Sequence, residues 1–106
     1  MSYYEEFNIL SLQIEKAKEN DMPIKPYVIK QINVLEDLHD DFVTRAQNQG
    51  YSLADVSVAE IEIEQFVKMK ELAQSVNLPT KENDNLIKDA RIRVFGEEGY
   101  KQFFAD

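Results

Sequence analysis

The single histidine, His39, lies in the run Glu36-Asp37-Leu38-His39-Asp40-Asp41. A Glu at i and a His at i+3 share one helix face, the pairing with which helix-bundle di-metal sites hold an ion from a single helix. A complete site of that kind needs further carboxylates and a second Glu-x-x-His. With one histidine, the chain reaches that set only as a two-fold dimer in which Glu6, Glu60 or Glu62 completes the shell. Glu36 and His39 are therefore weak metal candidates, and the expectation is that the protein has no metal and no cofactor. A lone histidine on an apolar stripe more commonly sits at a core boundary with one ring nitrogen satisfied.

Nucleophilic chemistry has less support. Ser2, Ser11, Ser52, Ser57 and Ser75 lack the strand-turn-helix context of a nucleophile elbow, and any triad would rest on His39 alone. Gly50, Gly96 and Gly99 build neither a Walker loop nor a dinucleotide fingerprint. The absence of cysteine removes disulfides, zinc thiolates, iron–sulfur clusters and thiol nucleophiles together. Carboxylates are plentiful, but acids on the polar face of a helix are solvated and have little reason to leave their ordinary pKa. No residue is assigned a catalytic role, and the chain reads as a non-enzyme.

Charge points elsewhere. Twenty acidic groups against twelve basic ones leave a formal charge of −8, which opposes direct binding to nucleic acid or to an anionic membrane, since both need clustered cations. Between Glu36 and Glu64 stand eight acids, Glu36, Asp37, Asp40, Asp41, Asp55, Glu60, Glu62 and Glu64, against the one base Arg45. Nearly the whole charge excess therefore falls in 29 residues. These acids are the expected partner-binding residues, a ridge that docks a basic, nucleic-acid-handling protein; the competing reading is a solvated face that keeps the domain soluble. Lys88, Arg91 and Arg93 form the only compact basic set, beside Asp84 and Asp89. The stretch after Gly50 has the rhythm of a helix-turn-helix entry, but its helix carries Glu60, Glu62 and Glu64 where DNA reading needs Arg, Lys, Asn or Gln.

The elements that must position these groups read as helices. Tyr3, Phe7, Leu10, Ile14 and Ala17 recur at spacings of three and four, predicting a first helix over residues 2 to 20 that stops before Pro23. A second helix runs from Pro26 to Asn48 on a stripe of Val28, Ile32, Leu35, His39, Phe42 and Ala46, and Gly50 ends it. Two capping boxes follow, Ser52 with Asp55 and Ser57 with Glu60, and Ser57 is the preferred cap of a third helix. That helix leaves one narrow polar stripe of Ser57, Glu60, Glu64, Lys68, Glu71 and Ser75, so it must contact neighbours on two sides or share a face with another chain. A fourth helix starts near Thr80 or Asp84 and reaches Gly96, and a short fifth spans Glu97 to Phe104.

Seven of the eleven aromatics lie near the two ends of the chain, predicting ends packed around the third helix. The first residues lack the basic and apolar regions of a secretion signal, and no apolar run approaches the roughly 20 residues that span a bilayer; a cytoplasmic protein is expected. The fold expectation is a single all-α domain over 1–106, an irregular four-helix bundle with a short fifth C-terminal helix. The functional expectation is a small acidic protein-interaction module, an adaptor or inhibitor, whose composition is analogous to that of bacterial or phage accessory proteins. The alternative is a structural subunit that self-assembles, as a homodimer in the simplest case, through apolar helix faces.

Overall fold

The computed structural model describes residues 1–104. Four helices account for most of the chain: α1 (Tyr3–Glu19), α2 (Lys25–Asn48), α3 (Val56–Ser75) and α4 (Lys81–Phe103). Among the described residues there is no strand, so the partly alternating stretch from Val56 to Glu64 is helical, as its continuation in the three-four apolar pattern requires.

Helices α1, α2 and α3 end in the same way. Asp21, Gly50 and Asn77 adopt left-handed backbone conformations, with φ of 55°, 87° and 59°. The next amide, of Met22, Tyr51 or Leu78, donates to the carbonyl of Ala17, Ala46 or Ala73 at 2.8, 2.9 and 2.8 Å. Each stop is a Schellman motif, which satisfies carbonyls a helix end otherwise leaves orphaned. The three alanines that accept these bonds are all buried. A helix, a left-handed residue and an apolar residue thus recur three times, a repeat carried by backbone conformation that residue-by-residue comparison does not reveal.

The starts differ from one another. Ser2 caps α1 by accepting from the Glu5 amide at 3.1 Å. The cap of α3 is Asp55, whose Oδ1 accepts from both the Ser57 amide (2.9 Å) and the Ser57 hydroxyl (2.6 Å). This corrects the expectation of Ser57 as cap: the helix starts at Val56, one residue before Ser57, so Asp55 is the capping residue and its carboxylate takes up the serine hydroxyl as well. The expected stop at Gly96 is a break inside α4, with φ 74° and ψ 168°, and helical residues resume beyond it. The stretch beyond Gly96, where a short fifth helix is expected, is helical to Phe103 and is set off from the first part of α4 by this break.

The helices pack in sequence order, α1 on α2, α2 on α3 and α3 on α4. The result is a flattened bundle measuring 50 × 36 × 15 Å. Its radius of gyration, 15.9 Å, exceeds the roughly 13 Å of a compact domain of this size. The core is accordingly small, centred on Leu35, Phe66, Met69 and Ile87, with Phe7, Leu38, Ile63, Val67 and Leu72 against it. Helix α3 contacts neighbours on both sides, as its narrow polar stripe requires.

The termini depart from expectation. Tyr4 and Phe103 are 70% and 67% exposed, and α1 packs on α2 rather than around α3. The C-terminal aromatics instead stack on each other and on α4, with the Tyr100 and Phe104 rings 5.8 Å apart. A layer of helices in which only neighbours touch leaves the outermost elements nothing further to cover.

Candidate functional site

Helix α3 forms the floor of a groove whose walls are α2 and the start of α4. The backbones of the two walls do not approach each other, which leaves a channel between them. It encloses about 670 Å³ and its apolar lining includes Ile32, Phe66, Met69, Ala73, Leu78 and Leu86. Three acids, Glu36 and Asp40 from α2 and Glu82 from α4, line it as well. Phe66, Met69 and Ala73 recur at spacings of three and four, so two turns of α3 form a floor that is itself part of the buried core, while Ile32, Leu78 and Leu86 keep more of their surface exposed. The α3–α4 turn, set by left-handed Asn77 and closed by Pro79, brings Glu82 opposite α2.

The acids interact across this gap. Burial beside the groove, the Glu82 carboxylate across it and the neighbouring Asp37 and Asp40 all push the Glu36 carboxyl above its ordinary pKa. Like charges held close with no cation between them describe a surface of unspent negative potential. Among the described residues none of Glu36, Asp37 and Glu82 forms an ion pair.

His39 stands in the same wall, and its partner settles its state. Glu62 Oε2 lies 2.8 Å from His39 Nε2, while Glu62 Oε1 accepts from Arg93 Nη1 at 3.1 Å. Burial raises the Glu62 pKa, but the His39 hydrogen bond together with the charge and hydrogen bond of Arg93 outweighs it, and the net direction is downward. An ionised Glu62 can only accept, so Nε2 of His39 donates. The ring also lies against Phe66, with centroids 4.6 Å apart. One carboxylate on α3 thereby ties α2 to α4 and holds both walls of the groove at a fixed height.

The eight acids expected to form one ridge are distributed over several surfaces. Glu36 and Asp40 are at the groove. Glu62 is only 2% exposed and is no part of an exposed ridge, because its carboxylate is consumed by His39 and Arg93. Glu60 and Glu64 are exposed but lie nine residues from Met69 and Ala73 respectively, about 180° around α3 and so on the opposite face. Asp41 pairs with Arg45 at 2.9 Å. Asp55 is engaged as the cap of α3, where hydrogen bonds from Ser57 hold its pKa down. Asp37 is exposed on α2, one residue and about 100° around from Glu36.

The weak metal candidates Glu36 and His39 both line the groove. Nε2 of His39 faces Glu62, and among the described residues no set of three or more His, Asp or Glu side chains gathers as metal ligands. His39 meets Glu62 across the α2–α3 hairpin, which sets the residues around 36–41 level with those around 58–63.

Three contributors escaped the sequence reading. Glu82 carries no local signal, since it matters only once α4 folds back beside α3. Arg93 was legible only as one of a basic trio, and its side chain leaves that trio for Glu62. Gln31, buried on α2, donates to Phe7 O (3.2 Å) and Ser11 Oγ (2.9 Å), fastening α1 to α2; a polar residue inside an apolar stripe was the available clue. No helix among the described residues is long and apolar enough to cross a membrane. Comparison with protein families, curated proteins and solved structures finds no match.

Proposed function

We propose that the protein is a small non-enzymatic interaction module, an adaptor or inhibitor, that takes a basic amphipathic helix of a partner protein into the groove between α2 and α4. The observation that carries this reading is the combination of an apolar floor with acids on both walls, Glu36 and Asp40 facing Glu82 across Phe66 and Met69. An amphipathic helix lays its apolar face on such a floor, while lysines or arginines flanking that face meet carboxylates on either side. The charge selects and steers the partner, and the apolar strip retains it. A basic, nucleic-acid-handling protein of the cytoplasm supplies helices of this composition.

A labelled amphipathic peptide with leucines at i, i+3, i+4 and i+7 and lysines flanking them tests the reading. Binding is expected to saturate, to weaken with rising salt, and to fall about tenfold or more when Glu36→Gln, Asp40→Asn and Glu82→Gln are combined. A scrambled peptide of the same composition controls for charge alone. Equal binding of the scrambled peptide, or indifference to the triple substitution, overturns the groove as the binding site.

A second reading is favoured by the flattened shape. Ile9 and Leu12 on α1 are exposed, on the outermost helix of an array 15 Å thick, and a second copy would cover them in a self-assembling structural subunit. Sedimentation at increasing concentration separates the two readings: apolar assembly persists in high salt and is lost on Leu12→Asp, whereas peptide capture shows the opposite salt response.

A further inference from the structure

The other side of α4 carries a cluster that the groove does not use. Leu86, in the groove lining, and Lys88 are two residues apart and hence about 200° apart around the helix. Lys88 and Arg91 line a separate recess of about 280 Å³ together with Val67, Lys70, Asp84 and Tyr100. Lys70 is neutralised by Asp84, Nζ to Oδ1 2.6 Å. Lys88 and Arg91 have no carboxylate partner among the described residues, in a chain with eight more acids than bases.

These two cations are three residues apart, neighbours on one helix face where like charges repel. The C-terminal part of α4 holds them in place with rings rather than with counter-charges. Lys88 Nζ lies 5.4 Å from the Tyr100 centroid and the Arg91 guanidinium 4.5 Å from the Phe104 centroid. Ring faces attract cations without neutralising them, so the recess keeps a net charge of about two positive units, by the formal charges of Lys70, Asp84, Lys88 and Arg91. The Gly96 kink makes this possible, since it turns the helix after Phe95 so that Tyr100 and Phe104 reach back over the preceding turns. A guanidinium held over a ring still has N–H donors that the ring does not satisfy.

We propose that this recess is a binding site for a phosphate group, held by Lys88 and Arg91 with Lys70 at its far wall. A tetrahedral dianion can accept from both the ammonium and the planar fork that line this one recess, and it removes the repulsion between them. The site is independent of the groove reading, because it lies on other surfaces of α3 and α4 and uses none of the residues assigned there.

The test is a titration of the full chain with inorganic phosphate and, in a second arm, with phenyl phosphate, at constant ionic strength against chloride. It is followed by NMR through the Arg91 Nε–H and the amides of residues 85–104. Saturable shifts confined to the surroundings of Lys88, Arg91 and Tyr100 are expected in at least one arm. Inorganic phosphate alone identifies a free-anion site, and stronger binding of the ester identifies a phosphate carried on a larger molecule; either result supports the proposal. Arg91→Gln and Lys88→Gln are each expected to weaken binding about tenfold, the effect of losing one charge-assisted contact, while Lys88→Arg retains it. Helical circular dichroism of each variant confirms that the fold survives. Shifts that never saturate, that spread over the whole chain, or that persist unchanged in the Arg91→Gln, Lys88→Gln double variant overturn the proposal.

Discussion

At the scale of single residues, two glutamates on facing helices carry opposite consequences. Glu62 is buried with its pKa drawn down by His39 and Arg93. A depressed carboxyl pKa contributes stability above its unfolded value, 4.5, and that contribution disappears as pH falls through the lower folded value. Replacing Glu62 with Gln removes the charge that both partners need and is expected to cost about 1–3 kcal/mol near neutrality. Chemical denaturation at several pH values checks this: the difference between the two proteins should shrink below pH 4.5.

Glu36 behaves in the reverse sense. Its folded pKa is raised, so its ionised form opposes folding at neutral pH and the penalty fades as pH falls through that raised value toward 4.5 and below. Glu36→Gln is expected to raise the melting temperature at neutral pH, to have no such effect in acid, and to weaken peptide capture. A residue whose removal stabilises the fold while reducing binding is held for function rather than for structure. The same melt in acid and at neutrality, set beside a binding curve, distinguishes this from a residue that is merely solvated.

At the scale of elements, the stops matter more than the helices. Gly50 has φ of +87° and open space where a side chain would begin, so Gly50→Ala meets no clash and tests the left-handed conformation alone, at about 1–2 kcal/mol. Asn77→Gly relieves the same conformation and is expected to be neutral or stabilising. Thermal unfolding of both variants should show opposite signs or one null, and equal losses would mean that side-chain contacts govern the turns. The α2 stop was legible, because glycine announces it. The equivalent role of Asp21 and Asn77 was not, because neither residue specifies a left-handed conformation until the next apolar side chain has a neighbouring helix to pack against.

At the scale of the whole molecule, helices that touch only their neighbours make a domain of low contact order. The main refolding phase is expected within about milliseconds, and stopped-flow or temperature-jump fluorescence of the tyrosines measures it. Small-angle scattering should return a flattened particle whose short axis grows only if a second copy covers a face. The flat shape also explains why a groove exists: α2 and α4 both lean on α3 and never close over it.

Apolar periodicity, one glycine and two prolines were enough to place α1, α2 and the starts of α3 and α4 within a few residues, because those signals act within a turn or two of chain. The antiparallel level of α2 against α3 followed from the short connection between them. Which acids share a surface was beyond that reach. A run of charge in sequence lies on successive faces of a helix, so Glu60, Glu62 and Glu64 go to solvent, core and solvent, and Glu36 acquires Glu82 from a segment more than forty residues away. The order of helix packing decided the groove, its acidic walls and the burial of Glu62, since each depends on where one helix lies against another.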